Sequence, residues 1–256
     1  MYKGYSVEII LPAFNEENSI KKYLNDLNNL NVFDKITVIN NNSTDNTKLE
    51  VEKTSAIYLE ENEQGFGAAL KKGLKNISCD VVFISEPDGS FCAQSIMDLL
   101  LYIDDYDVIF TSRTRNEMRL YLKFGNILYG MFISILFGSW KEILKQNQKK
   151  ARGAGVIVDG GGGGETCVLT DVGSSLRVMK KEAISDIIQN LNFKGPEMQI
   201  DLTISILKKK LKFTEKKVKY YERTGRASYY TGTFYNSFKV LLSFTKVVLL
   251  KLFRII

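Results

Sequence analysis

Five short apolar runs set the frame of this chain: "VEIIL" from Val7, "KITVIN" from Lys35, "AIYLEE" from Ala56, "DVVFIS" from Asp80 and "YDVIFTSR" from Tyr106. None alternates polar with apolar as a half-solvated strand does. The first run is stopped by Pro12 and followed by Ile20, Tyr23, Leu24, Leu27 and Leu30 at helical spacing. "NEQGFGAALKKGLKN" (62–76) opens a helix on a glycine turn, and "SIMDLLLYI" (95–103) is the helix after the fourth run. Strands apolar on both faces, alternating with helices through short connections, predict a mostly parallel α/β sheet with helices on both faces. Such sheets bind ligands beyond the carboxyl ends of their strands. The turns "PAFNEE", "NNNSTD", "NEQGFG", "EPDGS" and "TSRTR" should therefore share one edge. Their carboxylates, amides, glycines and arginines suit a nucleotide.

Composition narrows the chemistry. The 256 residues are 45% hydrophobic and 25% charged, enough to bury a substantial core. Three widely spaced cysteines, Cys79, Cys92 and Cys167, offer neither a disulfide framework nor a zinc knuckle, which fits a reducing compartment. "MYKGYS" runs directly into the first strand, too short and too early for a cleavable signal. There is no histidine, so a Ser–His or Cys–His nucleophile pair is excluded, and any general base is a carboxylate, a lysine or a group of the substrate. The net charge of +6 is uneven: from Ser205 onward thirteen Lys and Arg face two Glu, a local +11, which leaves −5 on the rest. A basic tail on an acidic body points to a polyanionic surface or to a solvated basic face.

The middle and the tail differ from the body. "FGNILYGMFISILFGSW" (124–140) has no charged residue but carries Asn126 and Ser134, and reads as a buried or membrane-interface helix. Residues 141–165 are basic and glycine-rich without period, a mobile loop. A turn at Asp171-Val172-Gly173 precedes an amphipathic helix; "EMQIDLTISILKKK" is another, and "KFTEKKVKYY" an edge strand. In the tail, residues 231–256, Asn236, Lys239, Ser243, Lys246 and Arg254 share about a third of the helical wheel, with Val247 and Leu250 intruding. That pattern suits an amphipathic helix lying in a membrane interface; the alternative is a helix packed on the domain's own core.

Within "ISEPDGSF", Glu86 and Asp88 end the fourth strand one residue apart. Such a pair is either an acidic turn or a site for a hard divalent cation, which takes oxygen ligands and keeps several waters. Pro87 and Gly89 would bend the turn so that both carboxylates face one edge.

Taken in order, "ILPAFNEENSI", "VINNNSTDNT", "NEQGFGAALKKGL", "EPDGSF", "TSR", "LTDVGSSLRVMKKEA" and "YYERTGRAS" resemble the family 2 glycosyltransferases of GT-A (Rossmann-like) fold, most closely their dolichol-/polyprenyl-phosphate sugar synthase branch. The resemblance implies a glycosyltransferase domain over 1–230. Pro12, Phe14 and Glu16 would lie around the nucleotide's base and ribose. Asn40 stands where the family usually has an aspartate on the nucleoside, and Gly65 and Gly67 where a turn lets the backbone approach the nucleotide. Glu86 and Asp88 match the DxD position, with Glu replacing the first Asp, and would hold Mg²⁺ or Mn²⁺ on the donor. Asp171 matches an active-site carboxylate, while Asp45 reads as a structural cap. Arg113, Arg119, Arg177, Arg223 and Arg226 would meet the acceptor phosphate or the diphosphate. The implied reaction is inverting transfer from a UDP- or GDP-linked sugar to a polyprenyl or dolichyl phosphate, by a protein peripheral at the cytoplasmic face of an anionic membrane and paired with a membrane-anchoring partner, without nucleic acid. A saccharide hydroxyl acceptor in capsule or cell-wall synthesis is the alternative, and a non-enzymatic basic binding module a remote one.

Overall fold

The apolar runs become strands of one sheet in the computed structural model, which describes residues 1–114, 120–138, 169–224 and 234–253. In chain order the elements are β1 (Val7–Ala13), α1 (Ile20–Asn29), β2 (Lys35–Asn40), α2 (Thr47–Glu52), β3 (Ile57–Glu60), α3 (Phe66–Lys75), β4 (Val81–Ile84), α4 (Ala93–Leu100), β5 (Val108–Thr114), α5 (Leu120–Phe137), β6 (Arg177–Lys180), α6 (Lys181–Gln189), α7 (Met198–Lys208), β7 (Phe213–Lys219) and α8 (Phe234–Leu252). The seven strands form one sheet in the order β3-β2-β1-β4-β6-β5-β7. All pairings are parallel except those of β6, which runs antiparallel between β4 and β5.

The non-alternating strands are explained by burial on both sides. Ile10, Ile39, Val82 and Ile84 face a core built with α3, α6, α7 and α8. Ile9, Leu11, Val38, Val81 and Phe83 face a second core with α1 and α4. Strand order reverses at β1 and β4, so the turns after these two strands flank the crevice where a doubly wound sheet binds ligands.

Two local readings are corrected. Pro12 does not stop β1; the strand continues to Ala13, with Pro12 opposite Ile39. Ile10 and Pro12 face β4, whose pairing ends at Ile84, while Ala13 turns its carbonyl to Asn41 N on the β2 side. The proline therefore omits no ladder bond. The second correction is β6. "LRVMKKEA" reads as the entry to a helix, yet Arg177–Lys180 is a strand and the helix begins at Lys181.

The polar residues of the apolar stretch 124–140 also find their reasons. Ser134 Oγ donates to Gly130 O (2.8 Å) and accepts from Leu169 N (3.1 Å), fastening α5 to the strand-side segment. Asn126 reaches into the site described below. The C-terminal α8 keeps one face on the domain: Phe244, Val247 and Val248 belong to the α7-side core, and Lys251 forms a buried ion pair with Asp201 of α7 at 2.6 Å. The glycine-rich loop 141–165 lies outside the described residues.

Candidate active site

The turn after β4 is organised by its own carboxylates. Asp88 is buried; its Oδ1 accepts from Ser90 N (2.9 Å), which closes the turn, and Gly89 takes the left-handed φ of +76° that lets it do so. Burial and the Asp88 charge push the Glu86 carboxyl up to about 7, against a bond from Ser175 and the charges of Arg113 and Arg223. From the turn after β1, Glu16 joins them. Its Oε2 accepts from Ser19 Oγ (2.9 Å) and its Oε1 from Arg223 Nη2 (2.7 Å). Desolvation pushes its carboxyl up to about 7, partly opposed by Arg223. Arg223 Nε lies 3.9 Å from Asp88 Oδ2. The structure thus brings Glu16, Glu86, Asp88 and Arg223 to one place.

A second cluster adjoins it. Asp171 is held at two points by Arg113 of β5: Nε to Oδ2 at 2.7 Å and Nη2 to Oδ1 at 2.8 Å, with the Arg113 main-chain N–H also donating to Oδ2 (3.2 Å). Asn126 Nδ2 adds a bond to Oδ1 (3.3 Å). The Arg113 guanidinium lies over the Tyr220 ring, 5.4 Å from its centroid. Glu215 on β7 accepts from Thr170 N and Asp171 N and so fixes the backbone of that turn.

Arg177 does not face a substrate phosphate. It is 2% exposed, donates to the carbonyls of Ser174, Gln199 and Val172, and stacks on Phe110 at 5.2 Å. Burial drives its pKa down to about 10, so it stays charged at neutral pH and braces the Asp171 turn from beneath. Arg119 and Arg226 lie outside the described residues.

The nucleotide-side residues sort similarly. Phe14 is half-buried at the end of β1, and Pro12 is buried within it. Asn40, at the end of β2, donates from Nδ2 to Tyr58 Oη (3.0 Å), while its Oδ1 is buried and has no hydrogen-bond partner among the described residues. A buried acceptor left open at this edge is available to a ligand. Asp45 is the cap it was expected to be: Oδ1 accepts from Thr47 N and Oδ2 from Glu17 N.

The glycine turn has a reason within the fold. Gly65 and Gly67 are small because the chain itself crowds them. A Cβ on Gly65 would strike the Lys194 carbonyl, and one on Gly67 would meet Phe193 O, Gly195 O and Met198 Cβ at 2.6–2.8 Å. Packing of α3 against the 193–195 segment therefore requires glycine at both positions by itself. Two of the three neighbours are backbone and cannot yield, so Gly67→Ala is expected to cost about 2–3 kcal/mol, measured by urea unfolding.

Sequence reasoning passed over Asn41, which builds this turn. Its Nδ2 donates to the Glu61 and Glu63 carbonyls, and its Oδ1 accepts from Gly65 N at 2.6 Å. Ser19, Ser175, Glu215 and Tyr220 were also silent. Only the density of amides in "NNNS" hinted at the first of them.

The carboxylates and arginines gathered at the switch point suit a ligand that carries phosphate, and comparison with known proteins gives the family. Residues 8–164 match the family model described as Glycosyl transferase family 2, and the chain belongs to that family. The UDP-N-acetylglucosamine–dolichyl-phosphate N-acetylglucosaminyltransferase of Methanococcus voltae is 27% identical over 83% of this chain and 84% of its own. Protein RfbJ of Shigella flexneri is 25% identical over 45% of this chain and 92% of its own. In fold the chain is similar to GT-A glycosyltransferases. Glucosyl-3-phosphoglycerate synthase of Mycobacterium tuberculosis, crystallised with Mn²⁺, UDP and glucosyl-3-phosphoglycerate, superposes with a TM-score of 0.63 at 16% identity, over 97% of this chain and 80% of that one.

Proposed function

We propose that this glycosyltransferase moves a sugar, with inversion, from a UDP- or GDP-linked donor to a polyprenyl or dolichyl phosphate, as a peripheral protein at the cytoplasmic face of a membrane. The observation that carries the choice of acceptor is the state of Asp171. A hydroxyl acceptor needs a base, and Asp171 is the candidate the family resemblance supplies. Each of its oxygens already accepts two hydrogen bonds from Arg113 and Asn126, so neither is free to reach the proton of an acceptor hydroxyl. A phosphate monoester, with a second pKa of ~6, arrives already ionised and needs no base. Its oxygen attacks the anomeric carbon as the bond to the nucleotide diphosphate breaks, and the diphosphate leaves with the electron pair. The dolichyl-phosphate transferase likeness supports the same class of acceptor.

Glu86 and Asp88 fit a divalent cation that substrate phosphates complete. They offer a pair of carboxylates on one turn, and among the described residues there is no group of three or more His, Cys, Asp or Glu placed to hold a metal ion. When bound, Mg²⁺ or Mn²⁺ supplies charge neutralisation on the departing diphosphate. Asn40 Oδ1 offers the donor base an acceptor.

The membrane part of the reading rests on two helices. α5 exposes Leu128, Met131, Phe132 and Ile135 at i, i+3, i+4 and i+7, and α8 exposes Leu242, Leu249 and Leu252, with Phe253 just past its end. The two meet through the Tyr129 and Phe244 rings, 6.3 Å apart. This apolar surface starts half a turn beyond Asn126, beside Asp171, where a lipid tail would leave the site. Among the described residues no helix is long and apolar enough to cross a membrane, so a peripheral contact, aided by a membrane-anchoring partner, is the form proposed.

The test is a panel of UDP- and GDP-sugars with Mn²⁺ or Mg²⁺ and a polyprenyl phosphate. Radiolabel should enter an organic-extractable product. Label found only in aqueous glycan would replace this reading with a saccharide hydroxyl acceptor.

A further inference from the structure

The segment after β7 lies across the acidic turn. Tyr220 bridges to Phe91, Tyr221 N donates to Ser90 O (2.9 Å), and Thr224 N donates to Asp88 O (2.9 Å). These bonds fix the backbone on either side of Arg223 and leave its side chain as the movable part. That side chain is inserted between carboxylates contributed by two different strand ends. Nη2 holds Glu16 at 2.7 Å, and Nε points toward Asp88 at 3.9 Å, too long for a hydrogen bond. Nε is buried and has no hydrogen-bond partner among the described residues, so one arm of the guanidinium fork is unused. An unpaired buried donor is costly, and here it faces the place where donor phosphates would sit.

We propose that Arg223 is a resident counter-cation, holding Glu16 and Asp88 together in the metal-free protein, competing there with the divalent ion, and turning to phosphate oxygens when metal and nucleotide bind. The inference rests on the metal reading of Glu86 and Asp88. It extends that reading by giving one arginine two successive partners. The charges of Glu16, Glu86 and Asp88 repel one another, and a fixed cation relieves this before substrate arrives. The planar fork suits both partners, because it pairs with carboxylate and with phosphate in the same geometry. Because the backbone is laddered to the turn, the exchange needs rotation of one side chain and no opening of a lid.

The experiment titrates Mn²⁺ into the full chain without donor, reading free Mn²⁺ by electron paramagnetic resonance, with a melting curve for each variant. Arg223→Gln is expected to bind Mn²⁺ about tenfold more tightly than the parent, since a competing positive charge is gone. Arg223→Lys, a point charge that cannot span both carboxylates, should fall between them. With UDP or GDP present the order reverses: Arg223→Gln holds the Mn²⁺–nucleotide more weakly than the parent. Equal or weaker Mn²⁺ binding by both Arg223 variants without nucleotide overturns the counter-cation role. If Asp88→Ala binds Mn²⁺ as the parent does, the underlying metal reading falls instead.

Discussion

Asp88→Ala should lower sugar transfer by roughly 10²–10³-fold, the scale on which a single preorganised charge-stabilising group acts. The substitution removes two things at once, because Asp88 Oδ1 also closes its own turn through Ser90 N. Asp88→Asn separates them. The amide oxygen still accepts from Ser90 N, so the turn and the melting temperature should be kept while the charge is lost. Equal loss of transfer in both variants, across a Mn²⁺ titration, assigns the effect to the carboxylate. Full transfer by Asp88→Asn would mean that the turn is only an acidic cap and that the donor diphosphate is neutralised by other groups. Arg223 and Arg113 are then the nearest candidates, and the mechanism becomes one of arginines alone.

How much of this site was legible in the sequence depends on what kind of signal each residue leaves. Strand ends followed by polar turns leave a strong one, because period and composition change together; the turns carrying Glu16, Asn40, Glu86 and Asp88 stand out that way, while the parts given to Glu16 and Asn40 came from the family resemblance. Long-range partnership leaves none. Nothing in "TSRTR" says that Arg113 reaches 58 residues on to clamp Asp171, or that Arg223 reaches back 207 to Glu16. Arg177 shows the converse error. A basic residue in a motif reads as exposed and phosphate-facing, but three carbonyls and an aromatic face satisfy it in the interior. The same strand escaped notice because four residues, "RVMK", leading into a helix carry too little period to compete with it. Glycine is ambiguous for a related reason. At Gly65 and Gly67 a missing side chain is equally consistent with a ligand or with the chain's own backbone, and the 193–195 segment that crowds both positions lies more than 120 residues away.

The C-terminal helix is where sequence pattern and packing diverge most, and a stability measurement decides between them. Lys251 is no part of the polar stripe that the tail sequence shows; its side chain is 7% exposed and its ammonium pairs with Asp201, itself fully buried. Asp201 Oδ2 also accepts from Asn192 N (3.1 Å), and Lys208 Nζ donates to the Lys251 carbonyl (2.7 Å). Breaking a buried pair from one side leaves an uncompensated charge, so Asp201→Asn is expected to cost about 3–5 kcal/mol in urea unfolding. Lys251→Met should cost a comparable amount. The double variant should recover much of the loss, because two desolvated charges have been removed together. The consequence extends beyond α8. Asp201 lies on α7, whose Gln199 carbonyl holds Arg177, and Arg177 in turn braces the turn carrying Asp171. Docking of the last helix and placement of the catalytic-side carboxylate are thus joined through a single helix. Single-variant costs below about 1 kcal/mol, the range of a surface ion pair, would show instead that α8 lies outside the cooperative unit and is free to leave the domain for a membrane.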